Sequence, residues 1–211
     1  CACCKLGLSN FVGEIANAVT ITTFNMLILN LSGNIGVASY GVIANVSAVC
    51  NAMFNGLAQG VQPLMSQSYG KKDNRSLGKY LQYGIVTALL FSLTIVFTVN
   101  FKSDFFISLF NSENNAGLHA AAAEGIRLYF WAFFFVGINT LLVSYFSATN
   151  NPKPAFLTSL IRGTFAIVFF AIVLSSIWKM TGVWLAFPCS EAFSLLIILY
   201  YYKKEQNEAM P

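Results

Sequence analysis

The chain reads as an all-α, polytopic transmembrane helix bundle with six spans, and three observations predict it. Of its 211 residues, 56% are hydrophobic and only 9% charged, whereas a soluble domain carries about 25% charged residues. The charges are bunched, which leaves apolar windows at 11–31, 40–66, 82–101, 127–147, 155–178 and 182–202. Each window is long enough to cross, because about 20 helical residues rising 1.5 Å each traverse the ~30 Å hydrocarbon core. The joints between windows carry turn chemistry, as in "SGNIG" at 32–36 and "NNPKP" at 150–154.

In chain order, the first window opens at "LGLSNF" and holds Glu14, Asn25 and Asn30. The second runs to Tyr69-Gly70 and a basic loop, 67–81, that precedes the third. The longest connection, 102–126, contains "DFFISLF", which suits a short helix lying at the interface with its phenylalanines in lipid. His119, the single histidine, is expected in solvent there. The fourth window brings Tyr129, Trp131 and Phe133 to Phe135, read as packing against lipid. The fifth carries Arg162 one or two turns inside, from where its long side chain can snorkel back to water. The sixth holds Pro188 and Glu191, and 205–211 is a polar tail.

If the spans alternate, one side receives Lys5, Lys71, Lys72, Arg75, Lys79, Lys153, Arg162, Lys203 and Lys204, and the other only Lys102, Arg127 and Lys179. Positive charge is retained on the cytoplasmic side, so both ends and the 67–81 loop are expected there, in a cell (plasma or inner) membrane. The net charge of +4 is then accounted for by retention and anionic lipid, with no nucleic acid as partner.

The second window contains the most informative pattern. Ser47, Asn51, Asn55, Gln59, Gln62 and Ser66 recur at steps of three or four, which places them within an arc of roughly 120° on one helix face. Val46, Val49, Met53, Leu57 and Leu64 lie elsewhere around it. Lipid cannot satisfy amides, so the stripe faces protein or water. Either the amides join helices or they line a wet cavity, and a stripe along most of the span exceeds what joining needs. Pro63 leaves the Gln59 carbonyl without its helical donor, a break tolerated beside a water-filled path. It is read as a hinge, with Gly56 and Gly60 permitting close helix approach.

Of the eight acidic residues, Glu14 and Glu191 fall within the windows. A carboxylate at the depth of Glu191 must face the bundle interior and find a partner or a cation, and Pro188 loosens the backbone three residues before it. Glu14 stands in the first turn of its helix, within reach of water. Cys1, Cys3 and Cys4 crowd the start while Cys50 and Cys189 stand alone, a pattern of reduced thiols with no metal-ligand spacing. No glycine-rich phosphate loop, HExxH or Cys-His pairing of useful spacing occurs, so no enzyme and no cofactor are expected.

The run "GLAQGVQPLMSQSYGKKD", with "FNMLILNLSGNIGVASYGVIANV", "GIRLYFWAFFFVGIN", "YFSATNNPKPAF" and "GVWLAFPCSE" in order, resembles the multidrug and toxic compound extrusion (MATE) family over nearly the whole chain. The resemblance implies the C-terminal six-helix lobe of a twelve-helix antiporter, whose two lobes are related by a pseudo-twofold along the membrane normal. It implies export of small amphipathic or cationic compounds coupled to sodium or protons, with Glu14 as a coupling acid; Glu191 is the other candidate, on its depth in the membrane. Glu14 stands about one turn earlier than the acid that some relatives carry there. Asn51, Asn55, Gln59 and Gln62 would line the cavity, with Pro63 and Pro188 as hinges. The partners implied are the substrates, the bilayer and an N-terminal lobe. Cys1, in place of a methionine, reads as a cut edge, and two copies of this chain are the alternative to a preceding lobe. A lipid-linked saccharide flippase of the same wider superfamily, or a membrane protein that does not transport, are the competing functional readings.

The stripe makes the first test. Single cysteines at Asn51, Asn55, Gln59 and Gln62 in an otherwise cysteine-free chain are expected to react with a polar maleimide, and those at Val49 and Leu57 far less. Equal labelling of the two faces would reject it.

Overall fold

A computed structural model of the chain describes the backbone over 2–111 and 115–208 and the side chains from residue 18 onward, Pro152, Gln206 and Glu208 excepted. The described residues form helices α1 (Ala2–Gly70), α2 (Asn74–Phe101), α3 (Ser103–Ser108), α4 (Ala116–Tyr129), α5 (Phe133–Ala148), α6 (Pro152–Leu160) and α7 (Ile167–Glu208). A 3₁₀ turn, Phe130–Ala132, joins α4 to α5, and a π-helical stretch, Ile161–Ala166, joins α6 to α7. No strand occurs among the described residues.

Two of these helices are hairpins. Within α1, Gly33 leaves helical geometry at φ 63°, ψ −157°, and the rings of Phe24 and Tyr40 stack with centroids 5.3 Å apart. A straight helix would hold those residues about 24 Å apart, so the chain doubles back at Gly33. Likewise Lys179 in α7 sits at φ 50°, ψ −125°, and Phe170 meets Phe193 at 5.9 Å instead of the roughly 35 Å of a straight helix. Six passes result. Apolar stretches long enough to cross a membrane occupy Ala18–Gly70, Asn74–Phe101, Ala116–Ala148 and Lys153–Glu205, two of them crossing twice.

The expected windows stand, with longer helices and shorter joints. The third pass begins at Asn74, two turns before 82, because Asp73 caps it: its carboxylate accepts the Ser76 N–H at 3.0 Å. Hydrogen bonding from Ser76 also holds the Asp73 carboxyl below its usual pKa. The fourth pass starts at Ala116, not 127, capped by the Asn115 side chain on the N–H groups of Gly117 and Leu118. The "DFFISLF" segment does form a short helix, α3, with Phe105 exposed and Ile107 buried. His119, half-buried, lies 3.2 Å from Asp104, tying α4 to α3. Gly56 and Gly60 depart from expectation: both are exposed, and a Cβ on either would meet nothing within 4 Å. They allow no close approach within this bundle.

The passes alternate in direction. Met180 and Gly36 meet at one end, where Gly117 also approaches Ile35; Tyr145 and Tyr202 pack at the other. Two apolar clusters fill the interior. One is centred on Phe24, Ile43, Phe54, Phe130, Phe133 and Trp184, the other on Met65, Leu81, Leu142, Phe146 and Ile198. Tyr129 and Phe133, expected against lipid, belong to the first cluster, whereas Trp131 is exposed. At their 3₁₀ turn Tyr129, Phe130 and Phe133 all face inward and Trp131 faces out. Between the clusters lies a layer of buried polar side chains that includes Asn139, Ser144, Ser190, Glu191 and Ser194.

The two reversals should respond oppositely to substitution. Their dihedrals are tolerated by glycine and strained for other residues by about 1–3 kcal/mol. Gly33→Ala is expected to lower thermal stability in detergent, and Lys179→Gly to raise it. Equal sign for both would contradict the turn geometry.

Candidate functional site: an ion pair inside the bundle

The polar layer is built on the last three passes. Glu191 stands on α7, 2% exposed, three residues after Pro188, which lies inside the helix. Its Oε1 accepts a hydrogen bond from Arg162 Nε at 2.5 Å. Its Oε2 and its own carbonyl both accept from Asn139 Nδ2, each at 2.9 Å. Arg162 also donates from Nη1 to Thr140 Oγ1 at 3.3 Å. One carboxylate thus gathers a guanidinium from the fifth pass and an amide from the fourth.

Arg162 corrects its sequence reading. It does not snorkel to the end of the bundle, because the π-helical stretch that begins at Ile161 changes the register of its helix and directs it inward to Glu191. A guanidinium with a carboxylate partner at its own depth has no reason to run to the interface. Its side chain keeps 21% of its surface exposed, against 3% for Glu191. π-turns of this kind are rare and concentrate at functional sites.

Asn139 was missed by the sequence reading, although it lies within the quoted "FFFVGIN" block. It is fully buried, and its Oδ1 has no hydrogen-bond partner among the described residues. The amide is held this way round because its NH₂ group is what reaches the Glu191 acceptors.

The amide stripe lies apart from this layer. The second pass turns Val46, Cys50, Phe54, Ala58 and Met65 into the bundle. Asn55 and Gln59 are exposed, Asn51 and Gln62 half-buried. Asn51 donates to the Ser47 carbonyl at 2.9 Å. Asn55, Gln59 and Gln62 make no hydrogen bond to a described residue, and the stripe is open from Asn55 onward, whereas Ser47 at its start is buried. The helix runs unbroken through Pro63, which is exposed, and α7 likewise through Pro188. Glu14 stands twelve residues inside α1, more than three turns from Ala2 and not in the first turn that hydropathy suggested, because the helix begins before the apolar window; its side chain lies outside the described residues.

The fold and the site define a polytopic membrane bundle with a neutralised charge pair at its centre and an amide face left largely open. The MatE family model matches residues 11–173, and the chain belongs to that family of multidrug and toxic compound extrusion transporters. It is 23% identical over 201 residues to the multidrug export protein MepA of Staphylococcus saprophyticus, covering 93% of this chain and 43% of that one. It is 27% identical over 198 residues to the probable multidrug resistance protein YoeA of Bacillus subtilis, covering 86% and 42%. Among solved structures, an inward-facing MATE transporter of the MOP superfamily matches with TM-score 0.89, 14% identity and coverage of 95% and 46%. An outward-facing one matches with 0.87, 14%, 94% and 45%. The chain thus spans less than half the length of these relatives, as one six-helix lobe does.

Removing one member of a buried ion pair strands the other, at about 3–5 kcal/mol. Glu191→Met and Arg162→Met are each expected to lower the unfolding free energy of the chain in detergent by that order. The double variant should lose less than the sum, and strict additivity in the cycle would show that the pair is not coupled.

Proposed function

We propose that the chain forms one half of a secondary multidrug antiporter that exports amphipathic, often cationic compounds against inward sodium or proton flow. The observation that carries this reading is the uncovered face of the second pass. Amides in the membrane need protein or water, and in repeat-built transporters the binding region lies between the two repeats. Asn51, Asn55, Gln59 and Gln62 then line the substrate cavity, and the opposing wall is a second lobe. The lobe-length match is nearly the same for inward- and outward-facing relatives, which supports a lobe that moves as one body, with Pro63 and Pro188 as points of give.

Glu191 is the coupling acid in this scheme, because it is a buried carboxylate held by groups that can exchange. Glu14, on the first pass, has a lesser part in this reading. The basic end of the bundle, with Lys71, Lys72, Arg75, Lys153, Lys203 and Lys204, faces the cytoplasm and its anionic lipid.

The test is dye export by the assembled two-lobe transporter in vesicles under an imposed sodium or proton gradient. Glu191→Gln keeps the shape and removes the charge, and is expected to lose most gradient-driven export per molecule delivered to the membrane, delivery itself falling because Arg162 is left unpaired. Glu14→Gln should lose less. Gradient-responsive export at the normal rate in Glu191→Gln would overturn the assignment. Residues 1–211 alone are expected to insert without exporting.

A further inference from the structure

Glu191 already has a cation. Arg162 Nε is bonded to Oε1 at 2.5 Å and Asn139 Nδ2 to Oε2 at 2.9 Å, so both oxygens are engaged and the pair is neutral. A second positive charge brought to this carboxylate would stand beside the guanidinium in a site of low dielectric, where like charges repel strongly. We propose that Arg162 is the resident counter-cation of the Glu191 site, and that an external monovalent cation reaches Glu191 only when the guanidinium withdraws. This rests on the reading of Glu191 as the coupling acid, and it names what holds that acid when no coupling ion is bound.

Three observations support it. Arg162 lies in the π-helical stretch Ile161–Ala166, which carries one more residue per turn than an α-helix. Relaxing that stretch to α would turn Arg162 by about 100° away from Glu191. The two partners are also unequally placed, since Arg162 has a side open to the surface and Glu191 has none. Withdrawal therefore belongs to the base.

The third observation is the buried Asn139 Oδ1, which has no partner among the described residues. Such an atom is costly as it stands. Once the guanidinium has left, turning the amide over would bring that oxygen to a bare cation beside the Glu191 carboxylate, near Thr140 Oγ1, which now accepts from Arg162. Oxygen donors of this kind suit hard cations. Among the described residues, the charged or titratable groups facing Glu191 are Arg162 from the fifth pass and, within electrostatic range, Tyr129 from the fourth.

The test uses the purified chain in detergent. Thermal unfolding is compared in sodium chloride and choline chloride at equal ionic strength, and infrared spectra are read for a protonated carboxyl band. The unaltered chain is expected to show no sodium-specific shift and no such band from Glu191. Arg162→Gln should gain one of two signals, each absent from Arg162→Gln/Glu191→Gln. A sodium-specific rise in Tm of about 5 °C or more identifies an alkali cation as the ion admitted, and a protonated carboxyl band identifies the proton. Should Arg162→Gln not fold, Arg162→His serves instead, with the signal appearing only at pH values where the imidazole is neutral. Two results overturn the proposal: a sodium shift in the unaltered chain that Glu191→Gln abolishes, or a folded Arg162 variant with neither signal. Export by Glu191→Gln reads the coupling role and these spectra read the part of Arg162, so either can fail alone.

Discussion

The contact between Arg162 and Glu191 organises the polar interior of this lobe. A carboxylate in hydrocarbon is costly unless paired, and pairing it fixes the rotation of several helices together. The sixth pass must turn Glu191 inward and the fifth must present Arg162 at a matching height. The fourth must bring Asn139 and Thr140 alongside. Apolar packing alone is a weaker guide to rotation in a membrane, because lipid tails are as apolar as leucine. The aromatic cluster around Phe133 and Trp184 on one side, and the smaller one around Phe146 on the other, flank the polar layer and leave Arg162 as its open edge.

Much of this was legible in the chain. Hydropathy set the number of passes, since each must hold its own backbone hydrogen bonds across ~30 Å of hydrocarbon. The helix boundaries were less legible. Asp73 and Asn115 cap the third and fourth passes outside the apolar windows, so those helices begin before hydropathy rises. The reversal at Gly33 could be read from its glycine, whereas Lys179 carries no such mark, being a residue that rarely adopts positive φ.

The stripe of amides was visible because helical periodicity is a property of one segment. The Arg162–Glu191 pair is a property of two. A signal for it did exist: these are opposite charges on consecutive passes joined by a tight reversal. Arg162 stands about five residues, or 7.5 Å, from the level of Glu191, a gap that a long side chain spans. The π-turn that aims the guanidinium left no comparable trace, since "IRGTFA" has no composition that announces it. Asn139 was hidden for a similar reason, as a lone amide in a phenylalanine-rich helix reads as joinery.

The reversal at Lys179 also bears on how the chain enters the bilayer. Arg162 and Glu191 stand on the two arms of one hairpin with almost no loop between them. A lone arginine or glutamate on an isolated helix faces an insertion cost of about 2.5–3.5 kcal/mol or more. Two arms that leave the translocation machinery together can neutralise each other before either meets lipid, so inserting the hairpin as a unit costs less than inserting either helix alone. Synthesis order then becomes part of the electrostatics. The fifth pass waits for the sixth, and a ribosome that stalled between them would leave a buried guanidinium with no carboxylate to meet it.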